Sequence, residues 1–159
     1  MKLRLAIREL YRSERKLAVD LSTLAARHKA DHEIFNVARD IAGWSERHIR
    51  ELAVVGKDYG LNLNSDPRTE ARTAPIQEKL ADLLGRRPEP ALALLMDLRH
   101  LHRVAAGVSL DWELLAQGAQ GAKDTELLAL THRCHPETLR QMRWANAMLK
   151  ILSPQFLAS

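Results

Sequence analysis

Between Leu3 and Val55 the apolar residues recur at alternating intervals of three and four, and little other than packed helices can satisfy such a pattern. Leu3, Ile7, Leu10, Glu14, Leu17, Leu21, Leu24 and His28 are separated by 4, 3, 4, 3, 4, 3 and 4. Ala38, Ile41, Ser45, His48, Leu52 and Val55 continue the pattern in the next segment. Two long helices are therefore expected, Lys2 to Lys29 and a second from the Asp31 cap to about Lys57, with Gly60 as its stop. A link this short makes them neighbouring, antiparallel helices. Their seams also hold a glutamate, a serine and two histidines, which a purely structural stripe has no need of.

Beyond Gly60 the composition turns polar through Asn62, Asn64, Ser65, Asp66 and Pro67, as in a loop. A short helix from Pro75 to Leu84, closed by Gly85, is expected to rest its apolar side on the main body. Helix three opens at Pro90, and Leu94, Leu98, Leu101, Ala105, Val108, Trp112, Leu115 and Ala119 form its stripe as far as Gly121. Asp124 or Thr125 caps helix four, whose inward side is read as Leu128, His135, Leu139, Met142, Leu149 and Leu152. Within it, Pro136 predicts a kink or fresh start and Pro154 a stop. The expected fold is all-α: residues 1–159 as a single antiparallel four-helix bundle, with a long crossover at 60–90 between helices two and three. Leu92, Leu95 and Met96 flank the helix-three stripe and have two candidate covers, the Pro75–Leu84 helix or a second subunit in a dimer.

Composition narrows the class. A lone cysteine, Cys134, excludes an internal disulfide and suits a reducing, cytoplasmic setting. The charged residues from Lys2 to Glu9 do not resemble a secretory signal, and no apolar run has the length of a membrane span. The 24 basic side chains against 20 acidic ones are dispersed along helix faces, which argues for a solvated surface rather than a nucleic-acid footprint.

Helix geometry then sets the height of the ionisable groups. Glu14 and His48 lie about equally far from the first turn, roughly 25 Å along the bundle. Glu113, His132 and His135 lie about equally far from the second turn, near Lys123, roughly 15 Å from the opposite end. In a bundle ~40 Å long with the expected crossover, all five share one slab. Two solutions satisfy such a layer. Glu14, His48, Glu113 and His135, with His132 nearby, could hold a single Fe, Mn or Zn ion. Alternatively the carboxylates accept hydrogen bonds from the histidines, Ser45 and Tyr11 in a closed network.

Leu10-Tyr11 with Glu14, His48 with Leu52, and Val108-Ser109-Leu110-Asp111-Trp112-Glu113 resemble the ferritin-like superfamily, particularly its small bacterial YciE-like branch. That resemblance implies a four-helix bundle and a stress-related setting. In the di-iron members helices two and four each carry Glu-x-x-His. Here helix two has Ser45-Glu46-Arg47-His48 and helix four has His132-Arg133-Cys134-His135, so both bridging carboxylates are missing. The expectation is a binding or structural protein rather than an enzyme, without ferroxidase chemistry; the alternative is a mononuclear metalloprotein.

Other motifs have plainer readings. His28 and His32 straddle the first turn and are expected to be exposed. Asp97, His100 and His102 are expected on a solvated face, and Trp44, Trp112 and Trp144 as packing anchors. Cys134 has no arrangement of base and acid that would make it a nucleophile.

Overall fold

The computed structural model describes residues 2–67 and 89–159. Among these it forms four helices and no strand: α1 Leu3–Arg27, α2 His32–Asp58, α3 Pro90–Gly121 and α4 Thr125–Leu157. The expected Pro75–Leu84 helix falls outside the described residues.

The helix starts follow from local chemistry. Asp31 accepts a hydrogen bond from the Ile34 amide (3.1 Å) and Asp124 one from the Leu127 amide (3.0 Å). Each cap satisfies one of the four amides a helix start leaves open. Pro90 occupies the first turn of α3, where its missing N–H costs nothing. Gly60, with φ of 72°, turns the chain out of α2 in a conformation that disfavours side chains.

Packing joins the helices into a bundle. α1 lies against α2 and α3, and α4 lies heavily against α3 but only lightly against α2. The stripe on α3 is buried from Leu94 to Ala119, and those on α1 and α2 are buried except at their ends, Leu3, His28 and Val55. Ile7, Leu10, Leu17, Leu21, Ile49, Leu52, Leu98, Leu101, Trp112 and Leu115 are among the largest fully buried side chains. Gly118 matters to the fit of α1 on α3: a Cβ there would lie 2.7 Å from Leu3 Cδ2.

On α4 the structure differs from the sequence reading. The buried positions are Leu127, Leu130, Thr131, Cys134, Thr138, Gln141, Ala145, Met148 and Leu152. Leu128, His135, Leu139, Met142 and Leu149 flank this seam and are only partly buried. The helix has thus turned so that smaller and more polar side chains face inward. It also continues through Pro136 and Pro154 to Leu157, so neither proline ends it. A proline removes one backbone hydrogen bond, and buried neighbours on both sides of Pro136, Cys134 and Thr138, hold the helix across that gap.

The segment after α2 is tied back to α1. Tyr11 donates to the Asn64 carbonyl (2.6 Å), and Arg15, 5% exposed, donates to Tyr11 (2.8 Å) and to the Asp66 carbonyl (3.0 Å). Tyr11 therefore serves the loop and not the acid–imidazole layer.

Candidate functional site

Glu14 on α1 and His48 on α2 meet in the interior, both 0% exposed. Glu14 falls at an inward position of the α1 stripe, and the tight turn before Asp31 brings the inward face of α2 opposite it. His48 Nδ1 lies 2.9 Å from Glu14 Oε1, and its Nε2 lies 3.1 Å from Glu137 Oε1 on α4. The same Glu14 oxygen accepts from Trp112 Nε1 on α3 (2.8 Å), and the His48 ring stands edge-on to Trp112. Arg47 completes the chain of charges by donating to Glu137. One member therefore comes from each helix: Glu14, His48, Trp112 and Glu137.

The electrostatics follow from this placement. Burial opposes a charge on His48, but its hydrogen bonds and charge interactions with Glu14, then Glu137, prevail and hold its pKa above the usual histidine value. Burial likewise opposes the charge on Glu137, and Arg47 and then His48 outweigh it and hold the carboxyl below its ordinary value. A protonated imidazole donates from both nitrogens, which is what two facing carboxylates require. Two cations and two anions then balance within the network.

The residues singled out in the sequence separate into two groups. Glu14 and His48 are in the buried layer. Glu113 points outward, its side chain 55% exposed, and accepts from Gln117 (3.0 Å). Trp112, the preceding residue, takes the inward position. His135 pairs through Nε2 with Ser109 Oγ (2.8 Å), and its Nδ1 is 3.9 Å from Glu113 Oε2. His132 is exposed and lines, with Glu113 and His135, a groove of about 230 Å³ between α3 and α4. Among the described residues no hydrogen bond or ion pair joins these three to Glu14 or His48. Ser45 also takes another role: its Oγ accepts from Gln141, which reaches the Ile41 carbonyl as well (2.9 and 2.8 Å).

Glu137 is the functional residue that the sequence reading missed. The signal was available: Leu127, Thr131, Cys134, Thr138, Gln141, Ala145, Met148 and Leu152 are spaced 4, 3, 4, 3, 4, 3 and 4, and Glu137 adjoins that seam. Of the two turn histidines, one differs from expectation. His28 is mostly covered and bonds Asp97 (2.7 Å), which also holds Arg27, whereas His32 is exposed. His100 bonds Asp20 across to α1 (3.1 Å). Cys134 is buried; burial first, then its hydrogen bond to Glu51 (3.2 Å), raises its pKa, which suits an unreactive thiol.

A metal ion needs lone pairs converging on one point. In the buried layer both His48 nitrogens are instead directed at carboxylates. Among the described residues no three His, Cys, Asp or Glu side chains are grouped so as to hold a metal. This arrangement does not fit the ion that the ferritin-like resemblance suggests. No helix among the described residues is long and apolar enough to cross a membrane. Comparison with known proteins supplies no relative: no family model, no curated protein and no solved structure matches this chain.

Proposed function

We propose that this chain is a ferritin-like bundle acting as a binding or structural protein, not as a di-iron oxidase, in a stress-related, cytoplasmic setting. The observation that carries the reading is His48 held between Glu14 and Glu137. A layer whose charges neutralise one another stabilises and specifies a core, and leaves no open position for an oxidant. The order of contacts supports an antiparallel bundle with a crossover. Ile41, His48 and Glu51 on α2 and its C-cap Tyr59 meet Gln141, Glu137 and Cys134 on α4 and its N-cap Asp124. On the other side, Ser13, Glu14, Asp20 and Arg27 of α1 meet Asp111, Trp112, His100 and Asp97 of α3. With a short turn between α1 and α2, these pairings favour parallel α2 and α3, joined by the proposed long crossover at 60–90. Association is proposed through α3, whose Leu92, Met96, Leu110 and Leu114 are exposed, as a dimer.

A second reading, a protein holding one Fe, Mn or Zn ion, is favoured by a single atom: Glu14 Oε2 is buried without a hydrogen-bond partner. Elemental analysis after purification without chelators distinguishes the two. The binding or structural reading expects substoichiometric metal, unchanged in the Glu14→Ala/His48→Ala variant. Stoichiometric metal that this variant loses would establish the second.

A further inference from the structure

The light packing of α2 on α4 leaves a groove of about 530 Å³ between them, which touches the buried layer only through Arg47. That volume is typical of small-molecule sites. The groove is polarised along its length. At one end stand three guanidinium groups, Arg47 and Arg50 from α2 and Arg133 from α4, with the carboxylate of Glu51 among them. Beyond them the walls are apolar, with Val54 and Val55 facing Ala129 and Leu130. Val54 is 66% exposed, an apolar side chain at the wall of an open channel. Glu126 stands at the far end, toward the Tyr59–Asp124 contact.

The arginines are not equally engaged. Arg47 is taken by Glu137, and Arg133 reaches Glu51 only at 3.7 Å. Arg50 has no hydrogen bond or ion pair among the described residues, although it lines the groove. A planar guanidinium next to an apolar channel matches a carboxylate carrying an apolar tail. At the arginine end Arg47, Arg50 and Arg133 outnumber the carboxylates Glu51 and Glu137, whereas Glu126 repels an anion at the opposite end, so one orientation is favoured.

We propose that this groove binds a medium-chain carboxylate, its head at Arg50 with Arg133 beside it and its chain along Val54, Val55, Ala129 and Leu130. This goes beyond the structural reading of the bundle and does not depend on it. The site selects for two features together, a negative head and an apolar tail.

The test is calorimetric titration of the full chain with hexanoate, octanoate and decanoate below their micelle concentrations, with amide chemical shifts to locate the site. Affinity should rise about four-fold for each added methylene, as burial of the chain requires. The methyl ester of decanoate should bind about ten-fold more weakly or worse, because it cannot pair with Arg50. Arg50→Gln should weaken decanoate about five-fold or more with an unchanged melting temperature, since the side chain is exposed and unpaired. Val54→Asp should abolish binding. The proposal is overturned if decanoate gives neither heat nor shifts, if the shifts fall outside the α2–α4 groove, if the ester binds as tightly as the acid, or if Arg50→Gln binds as the parent does.

Discussion

Two sets of acid and imidazole groups occupy neighbouring positions on these helices, and their surroundings give them opposite character. Inside, Glu14 and His48 are shielded from water, and Glu137, partly covered, closes the layer through the second ring nitrogen. Outside, Glu113 and His132 have the same chemistry but are exposed, and His135 is partly covered; they are joined by one loose pair and bonds to Gln117 and Ser109. The difference lies in one position around each helix. Trp112 is inward and Glu113 is not; on α4, Glu137 reaches His48 while His135 turns to Ser109. A charge in the interior must be answered by a partner, whereas a charge at the surface is answered by water. The inner set should therefore govern stability, and the outer set should be nearly silent.

Removing one inner partner offers the sharpest contrast. Glu14→Ala leaves His48 Nδ1 and the Trp112 N–H without a partner in the core, and should cost about 3–5 kcal/mol in urea unfolding. A loss no greater than that of a surface mutation would place Glu14 with the outer set.

The pH dependence should carry the same signature. The pKa of His48 is raised in the folded state, so its contribution is complete below its usual value of 6.5 and is lost as pH rises through the higher folded value. That of Glu137 is depressed, so its contribution is complete above its usual 4.5 and is lost as pH falls through the lower folded value. Unfolding midpoints should thus be highest between these two values and decline on the alkaline side, and His48→Gln should remove that alkaline decline.

Smaller effects refine the comparison. Trp112→Phe keeps the ring but withdraws a donor from Glu14, and about 1–3 kcal/mol should be lost. Thr138→Val reverses the sign. Its hydroxyl is buried without a partner, so replacing it with a methyl group should stabilise the protein by about 1 kcal/mol in thermal unfolding. Such a gain would also verify the register of α4. Last, Glu113→Ala and His132→Ala should each stay within about 0.5 kcal/mol of the parent.

Much of the fold was legible because three helices advertise their inward faces with large apolar side chains. The stripes on α1, α2 and α3 fall on buried positions except at their ends, although Tyr11, Arg15, Ala18, Ile34, Ala42 and Ile49 are buried outside them, and the turn at Asp31 correctly brings Glu14 opposite His48. The fourth helix is legible only by spacing. Its regular seam passes through Thr131, Cys134, Thr138, Gln141 and Ala145, while larger residues such as Leu128, Leu139 and Met142 lie beside it. Weighting by hydrophobicity selects the flank and rotates the helix, which turns His135 inward and hides Glu137. Small side chains suit α4 because it packs closely along α3, where bulk is already supplied by Leu101, Trp112 and Leu115. Spacing puts Trp112 on the α3 stripe and Glu113 beside it; what spacing could not reveal is that the indole N–H would donate to Glu14.

The protonation state of His48 bears most directly on this account. Nitrogen-15 chemical shifts of its ring, followed through a pH titration by NMR, report both nitrogens separately. The network predicts a transition above the ordinary histidine value, with both ring nitrogens protonated below it. A neutral ring at pH 7, with one bare nitrogen and a transition below that value, would contradict it.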